Sequence, residues 1–162
     1  MLFNVDSNCS PDLLYCLAQM GHGDELVIAD RNFPATSTAI HTGFKTLISM
    51  PGFSALAAIQ TITSLLPLDG FVDHAAVRME IDGAPDEMNE THTAVFSFLE
   101  TKIPEGAGLG HIPRPEFYER ARRAYAVVQT SENIPYGCYI LRKGVIFLSL
   151  IHISEPTRLS GI

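Results

Sequence analysis

The sequence predicts a single three-layer α/β/α domain built around a largely parallel sheet. Three observations carry that reading. Strand-length apolar runs alternate with helical patterns along the chain. The run Glu25–Ala29 is mostly apolar at successive positions rather than at every second one, as in a strand covered on both faces. The chain has 162 residues, 46% apolar and 18% charged, enough for one real core and too few for two ordinary domains.

Each element has a local cause. Ser10-Pro11-Asp12 is a helix start, with a side-chain acceptor at the N-cap, proline in the first turn and an acid beside it. Leu13, Leu14, Leu17 and Met20 then repeat at helical spacing, and Gly21 is expected to stop the helix. The strand Glu25–Ala29 follows, and Asn32-Phe33-Pro34 forms a loop beyond its carboxyl end, the edge that ligands favour in open α/β sheets. The stretch 39–50 is ambiguous, with a short strand and a turn near Pro51-Gly52. A helix over 54–66 carries Leu56, Ile59, Ile62, Leu65 and Leu66 along one side, and 75–81 is a second core strand. A longer, more polar helix is expected over 86–102, a glycine-rich loop over 105–110, and a helix over 115–124 with Pro115 in its first turn. The strands 125–130 and 139–147 complete the set, the latter with a hairpin through Lys143-Gly144. Leu148-Ser149-Leu150-Ile151-His152-Ile153-Ser154-Glu155-Pro156-Thr157-Arg158 reads as a translated DNA library adaptor. The expectation is therefore a domain over 1–147 and a non-native tail over 148–162.

Composition removes several function classes. A formal charge of −7 argues against a nucleic-acid partner, and the cluster Arg120, Arg122, Arg123 is interleaved with Glu116 and Glu119 as on a solvated helix face. Cys9, Cys16 and Cys138 form no Cys-x-x-Cys pair, so neither a disulfide framework nor a structural zinc site is expected. His22, Asp24, Asp30 and His41 lack zinc-site spacing, and no phosphate-cradling glycine motif precedes a helix; Gly106, Gly108 and Gly110 lack the Lys-Ser/Thr that would complete one. No cofactor, metal or membrane partner is expected, and the cytoplasm is the default compartment.

Chemistry concentrates at a few positions. His22 lies between Gly21 and Gly23, eight residues before Asp30. A strand that short holds its ends in a fixed relation, which opens the way for imidazole and carboxylate to face one pocket. Histidine titrates near neutral pH and suits proton transfer, but a histidine at a helix end also bonds the last carbonyls. Asp30 reads equally as a turn former after a strand, and so does Asp69 after Leu65-Leu66-Pro67-Leu68. Arg114 enters a helix that turns Phe117 and Tyr118 inward, and a buried tyrosine hydroxyl needs a partner. Tyr136-Gly137-Cys138 is either a loop with a permissive glycine or an aromatic face with an amide beside it.

In this order the segments resemble the L-fucose mutarotase family and its sister branch, the D-ribose pyranases. The matching pieces run from about Ser10 to Val145: Leu17–Glu25, Asp30 with Phe33-Pro34-Ala35, Leu66–Asp69, Phe117–Ala121, Tyr136-Gly137 and Leu141–Val145. Phe117-Tyr118-Glu119-Arg120 looks like the fucose branch. The resemblance implies a ribose-pyranase-like fold and cofactor-free interconversion of the α and β anomers of a free monosaccharide, an isomerase reaction. It implies His22 as proton donor and acceptor and Tyr118 as a second catalytic or binding hydroxyl. Asp30 and Arg114 would hold the sugar, and Tyr136 with Gly137 would come from a neighbouring subunit of a homo-oligomer. Asp69 and Met79 match ligand-contacting positions in some members. Cys138 stands where the family pattern has Asn, which replaces an amide by a thiol at the sugar. A pyranose/furanose isomerase of the ribose type and a non-catalytic sugar-binding subunit are the competing readings.

Overall fold

In the computed structural model, which describes residues 1–147, six strands and five helices alternate. The strands are β1 (Glu25–Ala29), β2 (Ile48–Met50), β3 (His74–Met79), β4 (Gly108–Ile112), β5 (Ala126–Thr130) and β6 (Tyr139–Arg142). The helices are α1 (Pro11–Gln19), α2 (Ala35–Ala39), α3 (Ala55–Thr63), α4 (Glu90–Leu99) and α5 (Arg114–Arg122). The tail read as adaptor-derived, 148–162, lies outside the described residues.

The sheet order is β2-β5-β1-β6-β3-β4. The pairs β2–β5, β5–β1 and β3–β4 are parallel, while β6 runs antiparallel to both of its neighbours, β1 and β3. Side chains alternate between two cores, as a pleated strand requires. Leu26, Ile28, Val128, Tyr139 and Leu141 pack against α1, α3 and α4. Val27, Ala29, Val77, Met79, Val127 and Ile140 pack against α2 and α5. The expected three layers are therefore present, with helices on both faces.

Caps set the helix starts. Ser10 and Ser54 accept from Leu13 N–H and Ala57 N–H, and Asn89 with His92 forms a capping box on α4. That box corrects the expected start at Asp86, and α4 ends at Leu99 rather than Lys102. Gly21 is not the left-handed stop of α1. The chain leaves the helix at Met20 in extended conformation, and the positive φ of +87° falls on Gly23. The Lys143 ammonium donates to the Met20 carbonyl at that helix end.

Three further expectations change. The segment 105–110 is a loop only up to Ala107, with Gly106 at a positive φ of +90°; Gly108 starts an edge strand, β4, in which a Cβ on Gly110 would lie 2.5 Å from His74 Nδ1. The last strand ends at Arg142, and Lys143 makes an antiparallel bridge to Leu68 in place of a hairpin turn. The ambiguous 39–50 stretch contributes the end of α2, which was not expected, and β2.

Phe117 is fully buried between α5 and the sheet. Phe117→Ala is expected to cost about 3–5 kcal/mol of stability by urea denaturation, from lost burial and the cavity left behind. A cost within the ~0.5 kcal/mol of a surface substitution would show that this layer tolerates the loss.

Candidate active site

The carboxyl ends of β1 and β3, the start of α5 and the turn before β6 enclose a cavity of about 180 Å³. Asp30, Arg114, Tyr118 and Tyr136 line it with polar groups, while Phe33, Met79 and Cys138 supply an apolar wall. Seven of the residues singled out in the sequence thus meet or adjoin one cavity of a single chain: these six without Phe33, together with Gly137, whose N–H reaches Asp30. Within the chain, Tyr136 lines the same cavity as Asp30, and Gly137 adjoins it.

Asp30 is both a turn former and a cavity wall. One carboxylate oxygen accepts from Asn32 N–H at 3.0 Å and Phe33 N–H at 2.9 Å, folding the loop after β1. The other accepts from Gly137 N–H at 3.2 Å, which ties that loop to the turn before β6. Burial pushes the Asp30 carboxyl up, and these N–H donors with the Cys138 thiol only partly offset it. Cys138 is buried, its sulfur 3.4 Å from Asp30 N–H, and desolvation raises its thiol well above the ordinary range. It is a small apolar wall residue, not a reactive thiolate.

The turn has two constraints that sequence reasoning joined into one. The positive φ falls on Tyr136, at +61°, a strained region for an aromatic residue. Gly137 is required instead for close approach: a Cβ there would lie 2.9 Å from the Ile134 carbonyl oxygen and from Glu132 Cγ. The strain at Tyr136 is held from behind by α4. His92 Nε2 lies 2.7 Å from the Tyr136 carbonyl oxygen, Nδ1 accepts from Asn89 N–H, and Asn89 Nδ2 donates to Pro135. A neutral ring with its proton on Nε2 satisfies both contacts. His92 was missed in the sequence; its only signal was its place three residues after a capping Asn.

On α5, Arg114 donates from Nε to Asp82 at 2.9 Å, and its guanidinium stands 5.6 Å from the centroid of the Tyr118 ring. Tyr118 also meets Phe33 edge-on at 5.5 Å, so the ring is fixed from two sides while remaining half-buried.

His22 and Asp30 do not face one pocket within the chain. They lie beyond opposite ends of β1, whose five residues span roughly 17 Å. Extension itself separates them. Asp69 is likewise absent from the cavity wall and is fully buried beside His22. It accepts from His22 Nε2 at 3.2 Å, Phe71 N–H at 3.0 Å and Arg142 Nε at 2.8 Å. Burial alone would raise the Asp69 carboxyl, but the Phe71 N–H, Arg142 and His22 outweigh it and hold the group below its ordinary range. Arg142 was also missed, because its partner is 73 residues away in sequence. Among the described residues no cluster of three or more His, Cys, Asp or Glu is placed to hold a metal, and no helix is long and apolar enough to cross a membrane.

The sequence model of the family described as the RbsD / FucU transport protein family matches residues 4–146. The human protein named fucose mutarotase is 41% identical over 151 residues, spanning 91% of this chain and 96% of that one. The L-fucose mutarotase of Haemophilus influenzae is 37% identical, spanning 90% of this chain and 97% of its own. The crystal structure of the fucose mutarotase from Streptococcus pneumoniae in complex with L-fucose superposes with a TM-score of 0.79, with 34% identity over 90% of this chain and all of that one.

His92 makes stability depend on pH. Burial pushes its imidazole down, opposed by the Tyr136 carbonyl and reinforced by the Arg78 guanidinium, so the unfolded chain binds the proton more readily. The stability it contributes is complete above about pH 6.5 and is lost as pH falls below that, at up to about 1.4 kcal/mol per pH unit. Urea denaturation at about pH 7.5 and pH 5.5 should show a steeper loss for the wild type than for His92→Gln. Equal losses would remove His92 as the cause.

Proposed function

Since the chain belongs to the RbsD / FucU transport protein family, we propose that it interconverts the α and β anomers of L-fucose, or of a closely related free monosaccharide, as an isomerase that needs no cofactor. The observation that carries this is the 180 Å³ cavity with polar groups on one side and an apolar wall on the other, in a chain whose relatives are named for fucose mutarotation. A monosaccharide is amphipathic in the same way, with hydroxyls at its rim and C–H groups on its ring faces. The volume lies below the ~300–1,000 Å³ of sites for larger ligands.

Mutarotation needs one proton delivered to the ring oxygen and another removed from the anomeric hydroxyl. The C1–O5 bond breaks, the aldehyde rotates about C1–C2, and the hydroxyl adds back to the other face. General acid–base groups alone typically accelerate such steps by about 10²–10⁴, and the uncatalysed reaction is already measurable. In this reading Asp30 and Arg114 hold hydroxyls, and the amide of Gly137 with Tyr136 borders the ring. Met79 and Cys138 take the apolar face, and Tyr118 offers a hydroxyl to the reacting centre. His22 is the proton donor and acceptor.

Because His22 and Asp30 flank opposite ends of β1, the working site is shared: His22 of one copy closes the cavity of another in a cytoplasmic homo-oligomer. Two features support sharing. The His22 ring is 48% exposed, and it is flanked by exposed apolar side chains, Phe71 in contact with it and Phe147 against Phe71. Such a patch suits a second protein surface. Cys138 in place of an amide favours one other reading, a pocket that binds sugar without turning it over.

Saturation-transfer NMR on L-fucose, D-galactose and D-ribose tests the proposal. Anomer exchange of L-fucose above the buffer rate is expected. Exchange at the buffer rate for every sugar would defeat the enzymatic reading, and binding without acceleration would select the non-catalytic one. His22→Ala should return exchange to the buffer rate with an unchanged circular dichroism spectrum.

A further inference from the structure

The geometry points to Asp82 as a positioning residue for the cavity: it takes the Nε–H of Arg114 and leaves the terminal nitrogens of that guanidinium to the sugar. This rests on the proposed role of Arg114 and deepens it. Arg114 lines the cavity from the start of α5, yet much of its side chain meets solvent. A long side chain so placed has many rotamers open to it, and orienting it requires a partner. Asp82 Oδ2 accepts from Arg114 Nε at 2.9 Å, and the guanidinium stands 5.6 Å from the centroid of the Tyr118 ring. Asp82 first, and then the Tyr118 hydroxyl, raise the Arg114 guanidinium above its ordinary range. The remaining guanidinium N–H groups lie on the terminal nitrogens, a planar fork suited to two neighbouring oxygens.

The connection between β3 and α4 presents Asp82 on a fixed turn. Glu80 N–H donates to the Ile112 carbonyl at 2.9 Å, and the Glu80 carboxylate lies 2.6 Å from His111 Nδ1, so the entry is pinned to β4. Ala84 N–H then donates to the Ile81 carbonyl at 3.0 Å, closing a four-residue turn with Asp82 at its second position. Gly83, next in that turn, has a φ of +78°, and a Cβ there would meet nothing within 4 Å. The backbone conformation, rather than crowding, calls for glycine. The exit is held from beneath: Arg78, only 2% exposed, donates from Nη2 to the Pro85 carbonyl at 3.0 Å. Burial lowers the Arg78 guanidinium, and attraction from Glu80, Tyr139 and Asp86 opposes that. The buried cation thus attracts the acids on both sides of Asp82 and leaves Asp82 itself to Arg114. With the Arg114 and Asp82 side chains 40% and 48% exposed, their ion pair adds little to stability. What it fixes is the direction of Arg114, so less remains to be ordered when a sugar binds.

The test is saturation-transfer NMR with L-fucose on the full-length protein, read as KM and maximal exchange rate, beside the ¹H–¹⁵Nε signal of Arg114. Asp82→Ala is expected to raise KM about 2- to 10-fold, the effect of one side chain left unfixed, with far less change in the maximal rate. Its urea midpoint should stay at the wild-type value, which a merely structural role would move. Asp82→Asn keeps an acceptor oxygen and loses the charge, so its KM should fall between the two. In the wild type the Arg114 Nε–H is expected as a distinct, slowly exchanging signal that Asp82→Ala removes. An Arg114 Nε–H signal left unchanged by the substitution overturns the proposal. Normal wild-type exchange with an unmoved KM in a folded Asp82→Ala protein sinks this proposal alone. A wild type that neither binds nor turns over any sugar sinks the functional reading, and this one with it.

Discussion

The cavity depends on one buried carboxylate. Asp30 ends β1 and at once accepts three backbone N–H groups, two from its own loop and one from Gly137. Each contact brings a different part of the cavity into place: Asn32 and Phe33 form one wall, and the Gly137 contact sets the height of Tyr136 and Cys138. Taking the carboxylate out of water opposes this arrangement, which is why its acidity is weakened despite the donors. A group that organises its surroundings and still faces the cavity is well suited to orient a polar ligand, because its own position costs nothing further to fix.

β1 separates two chemical environments. At its carboxyl end the groups are mostly hydrogen-bonding and apolar. At its amino end they are charged and linked in a chain from Arg120 to His22. α5 spans both, with Arg114 and Tyr118 near its start at the cavity and Arg120 near its end on Glu25. The two ends are thus mechanically continuous within a chain, although the groups proposed to act on one sugar come from different copies.

Much of this was legible in the sequence where causes are local. The starts at Ser10 and Ser54, the buried character of β1, and the assignment of Asp30, Arg114, Tyr118 and Tyr136 rested on short-range patterns and on resemblance. What failed depended on distance. Linear spacing brought His22 close to Asp30, but an extended strand carries its ends apart. Gly108 and Gly110 looked like a loop because the groups that crowd them, the Asp73 carbonyl oxygen and the His74 ring, lie more than thirty residues earlier in the chain. Arg142 and His92 were not singled out, since their partners are 73 and 44 positions away. The positive φ at Tyr136 was unreadable for a related reason: nothing in Tyr-Gly says which residue bears the strain when α4 supplies the restraint.

The central position of β6 has a consequence for how the chain assembles during synthesis. β2-β5-β1 and β3-β4 are each paired internally, but they share no strand pairing until β6 enters between β1 and β3. Among the described residues β6 is the last strand in chain order. A nascent chain can form its local helices early, yet it cannot close the sheet until residue 142 has left the ribosome. The same four-residue strand begins next to Cys138, beside the cavity, and ends with Arg142, beneath His22. Both chemical environments are therefore completed in one late event, and partly made chains expose neither in working form.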